Sequence, residues 1–519
     1  MLNDLRHAIR AFLRTPGFSI TAILTLALGI GANTAIFTVV DGVLLKPLPY
    51  ANPQQLVLLE TRQRGNRDED GGAFSLNRYD MLRERSRSFS GMAVFANDSF
   101  NLTGRGEPQQ VPIARVSSNF FSVLGIKPQL GRVFTEEEGQ PQGKFVVMIS
   151  DSLWHTRFGG DPNVVGHTVN LDSATYTIIG VVPAGIQFPF IGPAEVWTPR
   201  YFELTFMTPQ HLRAGVGYLQ GVARLRPGSS INLASAELEI LDRQYNQEYP
   251  KAPDGGPRVS MEAGNLQELT VANLRARLFF LLGAVGLVLL IACGNVASLL
   301  LSRALARRKE IAVRIALGAR RSVVVRQLLT ESILLALIAG ALGLALGWAA
   351  VKAFAGFGGS NLPQGIPIAI DWRVLLFTFA ISVLTGAIFG LFPALQLSRT
   401  DMNATLRDEG RGSSAGHNRA ELKNLLVVGQ VALSLILLIC AGLLVRSFGR
   451  LLSIDPGFEA RNVLTMNVSL PTVKYARPAQ QIQFFDELVR RVSALPGVQS
   501  ASISAALPLS PIRITPVLP

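Results

Sequence analysis

Cysteine is nearly absent from this chain: only Cys293 and Cys440 occur in 519 residues, and both fall inside long apolar runs. A thiol in such a run behaves as a small hydrophobe, so neither a structural disulfide nor a cysteine-based metal site is expected. Charge is scarce too. Asp, Glu, Lys and Arg make up 16% of the chain and hydrophobic residues 48%. Soluble domains carry roughly 25% charge, so the composition is that of a membrane protein with a soluble part. Histidine occurs only at His7, His155, His167, His211 and His417. His155 and His167 share one soluble stretch, but isolated histidines there read as surface or packing residues rather than a metal pair. The chain has no G-x-x-x-x-G-K-[ST] phosphate loop and no H-E-x-x-H zinc motif. Its one G-x-S-x-G match, Gly412–Gly416, has no strand before it or helix after it to form a nucleophile elbow, and reads as a flexible linker. No nucleophile–base arrangement stands out. The expectation is therefore a non-catalytic chain without cofactor or metal. The net charge of +13 would suit nucleic acid, but zinc-finger spacing and aromatic-rich basic motifs are missing, so no nucleic-acid partner is expected.

What the chain does have is long apolar runs. Five reach the ~20 residues a spanning helix needs: Phe18–Val40, Leu278–Leu301, Leu328–Ala350, Leu375–Leu397 and Leu425–Val445. The first is too long for a signal-peptide core and reads as an uncleaved anchor. Residues 1–17 set Leu2, Leu5, Ile9, Phe12 and Leu13 opposite Arg6, Arg10 and Arg14, the pattern of a helix lying on membrane lipid. Lys and Arg crowd the N-terminus and the 302–327 and 398–424 loops and are missing from the 354–371 loop. The positive-inside rule then places the N-terminus in the cytosol and the large region after the first span outside.

This gives a multi-domain membrane protein: an α-helical bundle of five spans carrying a large α+β extracytoplasmic domain, in one or two lobes. The expected order is a cytosolic amphipathic helix (1–17), a first span (18–43), the extracytoplasmic domain (44–274) and a three-span domain (275–397). A cytosolic basic linker (398–424), a fifth span (425–447) and a partial second extracytoplasmic domain (448–519) follow. In the outer region, Phe145–Ile149 and Tyr176–Val182 read as strands, and Leu76–Arg87 and Ile231–Tyr249 as helices. The last part echoes the first in order and hydropathy, with strands expected over Val463–Leu470 and Val498–Ala505 around a helix at Ala479–Leu495. With no three closing spans after it, the second unit reads as truncated.

Between the second and third spans lies a dense basic block, Arg303–Arg326. Ile311, Ile315 and Leu317, with Ala312 and Ala316, make an apolar helix face, and Glu310 precedes Arg314 by four residues, a favourable helix pair. A cytosolic amphipathic helix tied to two spans can carry force from a soluble partner; its other reading is a lipid-surface anchor. Within the spans, Gly343 with Gly347 and Gly386 with Gly390 have G-x-x-x-G spacing, which lets helix backbones approach closely. Asn295 is expected to bond helix to helix, Glu331 to lie at the interface, and Pro393 to bend the fourth span.

These residues carry a resemblance. Arg307–Leu335 looks like the cytosolic signature of the MacB/FtsX-like permeases of ABC transporters, and Val116–Gly139 with Ile149–Pro183 looks like that family's periplasmic core domain. Phe12–Tyr50 is similar to the duplicated orphan permeases first described in acidobacteria. The resemblance implies an inner-membrane ABC exporter or mechanotransmission permease, with antibiotic, lipid or peptide as cargo. It implies a separate ABC ATPase subunit and a second permease unit, in cis or as a homodimer; a periplasmic adaptor protein is a further partner. It assigns ATPase coupling to Glu310, Ile311, Arg314, Ala316, Leu317, Gly318 and Ala319, with Gly318 as helix C-cap. The alternative is a membrane-anchored scaffold that regulates an outer partner such as a cell-wall hydrolase, without transport.

Overall fold

A computed structural model of the chain describes residues 10, 12–63, 72–104, 107–172, 174–186, 188–204, 212, 214–256, 259–306, 321–358, 370–398 and 417–455. It also describes 457, 462–466, 468, 470, 475 and 477–504. Two compact units form. One comprises Met1–Lys46, Ala272–Leu362 and Ile366–Ile454; the other comprises Pro47–Val271, Pro363–Gly365 and Asp455–Pro519.

Residues 12–14 are helical, and after Thr15 comes helix α1, Pro16–Val40, which ends in a π-helical turn at Asp41–Leu45. Pro16 is tolerated because the first helical amide has no intrahelical acceptor in any case. The sheet unit follows, with β1 (Leu56–Gln63), α2 (Leu76–Arg85), β2 (Phe89–Thr103), β3 (Gln109–Val116), α3 (Phe120–Leu124) and β4 (Leu130–Gly131). Next come β5 (Val146–Ser150), α4 (Asp151–Phe158), β6 (Thr168–Leu171), β7 (Ala174–Val182) and β8 (Val196–Thr198). Then β9 (Gln220–Leu225), α5 (Ile231–Glu248) and β10 (Val259–Asn265) complete the sheet. Helices α6 (Leu266–Ala306), α7 (Arg321–Gly358), α8 (Trp372–Ser398) and α9 (His417–Ser453) follow, and α10 (Pro478–Ser493) is the last helix among the described residues.

The ten strands form one sheet in the order β10-β1-β9-β2-β3-β8-β5-β7-β4, with β6 pairing β2 and β7. The β3–β8 and β5–β7 pairs are parallel and the others antiparallel. The 15-residue β2 joins the two ends of the sheet. Its first half pairs β9 from Phe89 to Phe95, and its second half pairs β3 from Phe95 to Leu102. Side-chain alternation sorts the strands into layers. Leu56 and Leu58 enter one core with Phe95, Phe120 and Phe188, while Val57 and Leu59 enter a second with Leu82 and Leu238. All four leucine and valine side chains of β1 are 0% exposed, so each contributes roughly 1.5–3 kcal/mol of burial. A third core under α4 holds Trp154, Phe158, Ile178 and Val181.

The second core encloses a charged cluster. Arg78 of α2 is 0% exposed, and its guanidinium lies 3.1 Å from Asp242 and 3.5 Å from Asp254, above the Tyr245 ring at 4.3 Å. Tyr245 donates to Asp254 at 2.8 Å, and the Ser75 amide donates to the same carboxylate at 2.7 Å. Ser75 also caps α2, its hydroxyl accepting from the Arg78 amide. One cation thus faces two buried carboxylates, so the cluster ties α2 to α5 and to the 249–256 turn.

At the other end of α2, Glu237 of α5 accepts from the amides of Arg87 (2.6 Å) and Ser88 (2.9 Å) and the Ser86 hydroxyl (3.1 Å). Burial pushes its carboxyl up, but these hydrogen bonds outweigh burial and hold it below the usual glutamate range. The folded state then prefers the ionised form more than the unfolded state does. The stabilisation is complete above the unfolded value of about 4.3 and is lost as pH falls through the lower folded value. Glu237→Gln is therefore expected to flatten the loss of thermal stability between neutral and acid pH. The readout is sheet-domain unfolding temperature against pH, and equal slopes in both proteins would refute it.

The strand-like sequence runs at 145–149 and 176–182 lie in β5 and β7, and the two expected helices are α2 and α5, which end at Arg85 and Glu248. The strands expected over Val463–Leu470 and Val498–Ala505 do not form among the described residues, whereas α10 forms between them. A strand needs a neighbour to satisfy its amides and cover one face. Here Leu464 is 89% exposed, while a helix satisfies its own backbone.

Candidate functional site

Among the described residues four helices are long and apolar enough to cross a membrane: Pro16–Leu45, Leu274–Arg303, Val325–Ala353 and Val427–Ser453. The stretch Trp372–Ile388 of α8 is apolar but shorter than these, where the sequence leads to the expectation of a fifth span. Helices α1, α7 and α8 meet on small residues. A Cβ on Gly343 of α7 would stand 2.9 Å from the Ala27 carbonyl oxygen and 3.0 Å from the Gly31 nitrogen of α1. One on Gly31 would stand 2.9 Å from the Gly343 carbonyl oxygen, and one on Gly347 3.1 Å from the Gly31 carbonyl oxygen. Backbone touches backbone, so no side chain fits between. On the opposite side, a Cβ on Gly386 of α8 would meet the Ile333 Cα at 2.8 Å, and one on Gly390 the Ser332 Cβ at 2.6 Å. Gly340 faces Ser382 in the same seam. Helix α7 is therefore held on both sides at close range, where dispersion contacts between helices are most numerous.

Polar groups inside the seam are satisfied. The Thr34 and Thr378 hydroxyls stand 3.1 Å apart, so that one donates to the other while the other donates to the carbonyl four residues earlier in its own helix. Asn33 donates to the carbonyl oxygens of Gly29 (2.9 Å) and Val285 (2.8 Å), joining α1 to α6. Leaving such groups unpaired in hydrocarbon costs several kcal/mol each. Cys293 is 1% exposed beside Leu26, Ile30 and Val296, packed as an apolar side chain. Gln430 of α9 donates to Asn295 of α6, the helix-to-helix bond expected of that asparagine. Glu331 is only 8% exposed, with Gln327 donating to it at 3.4 Å.

At the start of α8, the Asp371 carboxylate accepts from the Arg373 and Val374 amides at 3.0 and 3.2 Å and pairs Lys46 at 2.9 Å. The Lys46 ammonium, with those two amides, holds Asp371 below the usual carboxylate range. An aspartate just before the helix thus satisfies two of its first-turn amides.

The coupling residues Glu310, Ile311, Arg314, Ala316, Leu317, Gly318 and Ala319 lie outside the described residues, as do residues 1–9, His211 and the Gly412–Gly416 match. Pro393 lies within α8, which runs on to Ser398. His155 is exposed on α4, its Nδ1 2.9 Å from the Asp151 carbonyl oxygen. Sequence reasoning missed Gly31, Gly340 and the Thr34–Thr378 pair. Gly31 belongs to no G-x-x-x-G pair, so only its meeting with Gly343 reveals it. Two hydroxyls in the middle of apolar runs were a visible signal.

Residues 19–241 match the MacB-like periplasmic core domain family, and residues 282–402 the FtsX-like permease C-terminal family. The macrolide export ATP-binding/permease protein MacB of Burkholderia lata is 27% identical over 308 residues, 57% of this chain and 41% of that protein. The protein of the same name from Sodalis glossinidius is 24% identical over 318 residues, 60% of this chain and 46% of its own. A probable export ATP-binding/permease protein of Pseudomonas fluorescens is 26% identical over 301 residues, covering 56% of this chain and 42% of its own. The chain spans less than half the length of these relatives. Among solved structures, the periplasmic region of MacB from Actinobacillus actinomycetemcomitans has a TM-score of 0.32 and 15% identity, covering 46% of this chain and 98% of that one. The extracellular domain of the ABC-type transporter YknZ from Gram-positive bacteria has a TM-score of 0.29 and 15% identity, over 40% and 99% of the two chains. With matches to these two domain families one after the other on a chain that carries a sheet domain and membrane-length helices, the protein is similar to the MacB/FtsX-like permeases of ABC transporters.

Proposed function

We propose that the chain is the permease part of an ABC-type exporter or mechanotransmission complex, driven by an ATPase on a separate subunit. The observation that carries this is the order of a MacB-like core domain and an FtsX-like permease domain, joined to the close-packed seam around α7. In this reading the N-terminus and the 302–327 and 398–424 loops face the cytosol, as their Lys and Arg content favours. ATP-driven motion enters through the basic helix at 303–326. Glu310 and Arg314 pair with charges on the ATPase, Ile311, Ala316 and Leu317 supply its apolar face, and the turn at Gly318 and Ala319 ends it. Helix α7 begins at Arg321, in the last part of that segment, and its glycine contacts with α1 and α8 let the three helices move as one block. Gly343 and Gly347 are assigned to the α1 side of the block, and Gly386 and Gly390 to the α7–α8 side. Helix α1 leads by chain into the sheet domain, so block motion pulls on it. A second permease unit completes the pair on which the ATPase acts, and antibiotic, lipid or peptide cargo is exported. The export described for the relatives is theirs by name; here it is the proposal.

The test is a pull-down of the tagged protein from its native membrane, followed by an ATPase assay. A co-purifying ATPase is expected, with stimulated hydrolysis reduced at least about tenfold by Glu310→Lys or Arg314→Glu, equal to ~1.4 kcal/mol of coupling. An ATPase that does not co-purify, or is indifferent to both substitutions, refutes the coupling role. ATP-dependent cargo movement in vesicles would separate export from a scaffold that moves without transporting.

A further inference from the structure

Where α1 ends, a shallow groove of about 450 Å³ opens between α1 and α8. Its walls are apolar. Phe37 and Phe377 stack with ring centroids 3.9 Å apart, and Leu45 and Leu376 extend the wall. Leu45 and Leu376 are 51% and 57% exposed, so the groove opens on the lateral face of the bundle, the side that meets lipid chains. The head of the groove is charged. Asp41 lines it, is 1% exposed, and neither of its carboxylate oxygens has a hydrogen-bond partner among the described residues. Its nearest cations stand off, Arg373 Nη1 at 3.5 Å and Lys46 Nζ at 3.8 Å, beyond the roughly 2.7–2.9 Å of a charge-assisted hydrogen bond. The Lys46 ammonium is drawn to Asp371 at 2.9 Å instead. Arg373 has a 41% exposed side chain and lies over the Trp372 ring at 5.8 Å.

A buried carboxylate without donors costs free energy until a cation with N–H groups reaches it. Beside it stands a half-exposed guanidinium, whose fork matches phosphate oxygens. Below both runs an apolar trough. Acceptor, phosphate-binding cation and apolar trough follow one another as ammonium, phosphate and acyl chain follow one another in an aminophospholipid. We propose that this groove binds a zwitterionic phospholipid with a primary ammonium headgroup, of the phosphatidylethanolamine type. The ammonium meets Asp41, the phosphate meets Arg373, and an acyl chain lies along Phe37, Leu376 and Phe377. A choline headgroup has no N–H to donate to Asp41. A glycerol headgroup brings no cation, and free phosphate has no chain for the trough. The inference does not depend on the chain's coupling to an ATPase.

The experiment exchanges the full-length protein into micelles containing equal amounts of phosphatidylethanolamine, phosphatidylcholine and phosphatidylglycerol, and counts retained lipids by native mass spectrometry. The ethanolamine lipid is expected to be retained over each of the others by about tenfold, and added inorganic phosphate to leave that preference unchanged. Asp41→Asn is expected to abolish the preference, and Arg373→Gln to weaken all three lipids. Ala380→Phe fills the trough without touching the charged head, and is expected to remove one bound ethanolamine lipid per chain. Equal retention of the three lipids overturns the proposal, and so does displacement by free phosphate. A preference that survives Asp41→Asn does the same. If that variant does not fold, an unchanged lipid count in Ala380→Phe is decisive against it.

Discussion

Arg78→Ala is expected to destabilise the sheet domain by about 3–5 kcal/mol, because it leaves buried carboxylates without their cation. Asp242 and Asp254 lie 3.1 and 3.5 Å from the guanidinium, and the three side chains are only 1–2% exposed. Among the described residues the other contacts to Asp254 are neutral: Tyr245 and the Ser75 amide give it hydrogen bonds. The variant also loses the cation–π contact with Tyr245. Against a typical domain stability of about 5–15 kcal/mol, this is a large fraction. For a domain of 150–250 residues it corresponds to a fall of about 6–20 °C in unfolding temperature. Tryptophan fluorescence of the full chain follows it, since Trp154 and Trp197 both belong to this domain's cores. The charge argument has its own control. Arg78→Met combined with Asp242→Leu removes a cation and a carboxylate together, and is expected to cost less than Arg78→Met alone. If the double variant is the less stable, packing rather than charge holds the cluster, and the reading fails.

Gly343→Leu is the second large effect, and it acts in the bundle. The new Cβ would press on the Ala27 carbonyl oxygen at 2.9 Å and the Gly31 nitrogen at 3.0 Å. Both are backbone atoms of α1 and cannot turn aside as a side chain would, so the helices must part. Overpacking of this kind costs about 1–3 kcal/mol in soluble cores. Here it also opens the seam that holds Thr34 against Thr378. The expected result is a lower temperature of thermal aggregation in detergent, and, with an ATPase bound, weaker stimulation of hydrolysis. Gly283→Leu and Gly429→Leu provide the contrast, because nothing lies within 4 Å of a Cβ at either position. Both are expected to behave like the parent protein. Equal damage from all three would mean that helix propensity, not the seam, sets the effect.

The different fates of these glycines show where sequence reasoning reaches and where it stops. G-x-x-x-G spacing marks Gly343 and Gly347 as one flat helix face, but spacing on one helix carries no information about the facing helix. Gly31 has no matching glycine four residues away, so its part in the seam appears only when α1 and α7 are brought together. Arg78 is one of three arginines in α2, with Arg83 and Arg85, and the local sequence does not name its partners. Its partners are more than 160 residues away, and only the packing of α5 on α2 buries it. The strands expected after α9 fail for the reverse reason: alternating apolar residues make a strand only where a neighbour accepts the backbone, and none does so among the described residues.

By itself the sequence determined the apolar helices and the sheet domain between them. Each of these follows from transfer free energies summed along a local stretch of chain, which composition and order already contain. Tertiary structure alone decided which backbones touch in the seam, which carboxylates share Arg78, and that Asp41 is buried at the head of an apolar groove. Those depend on distances between residues far apart in the chain. At such contacts a few tenths of an ångström, or one missing donor, changes the energy by kilocalories.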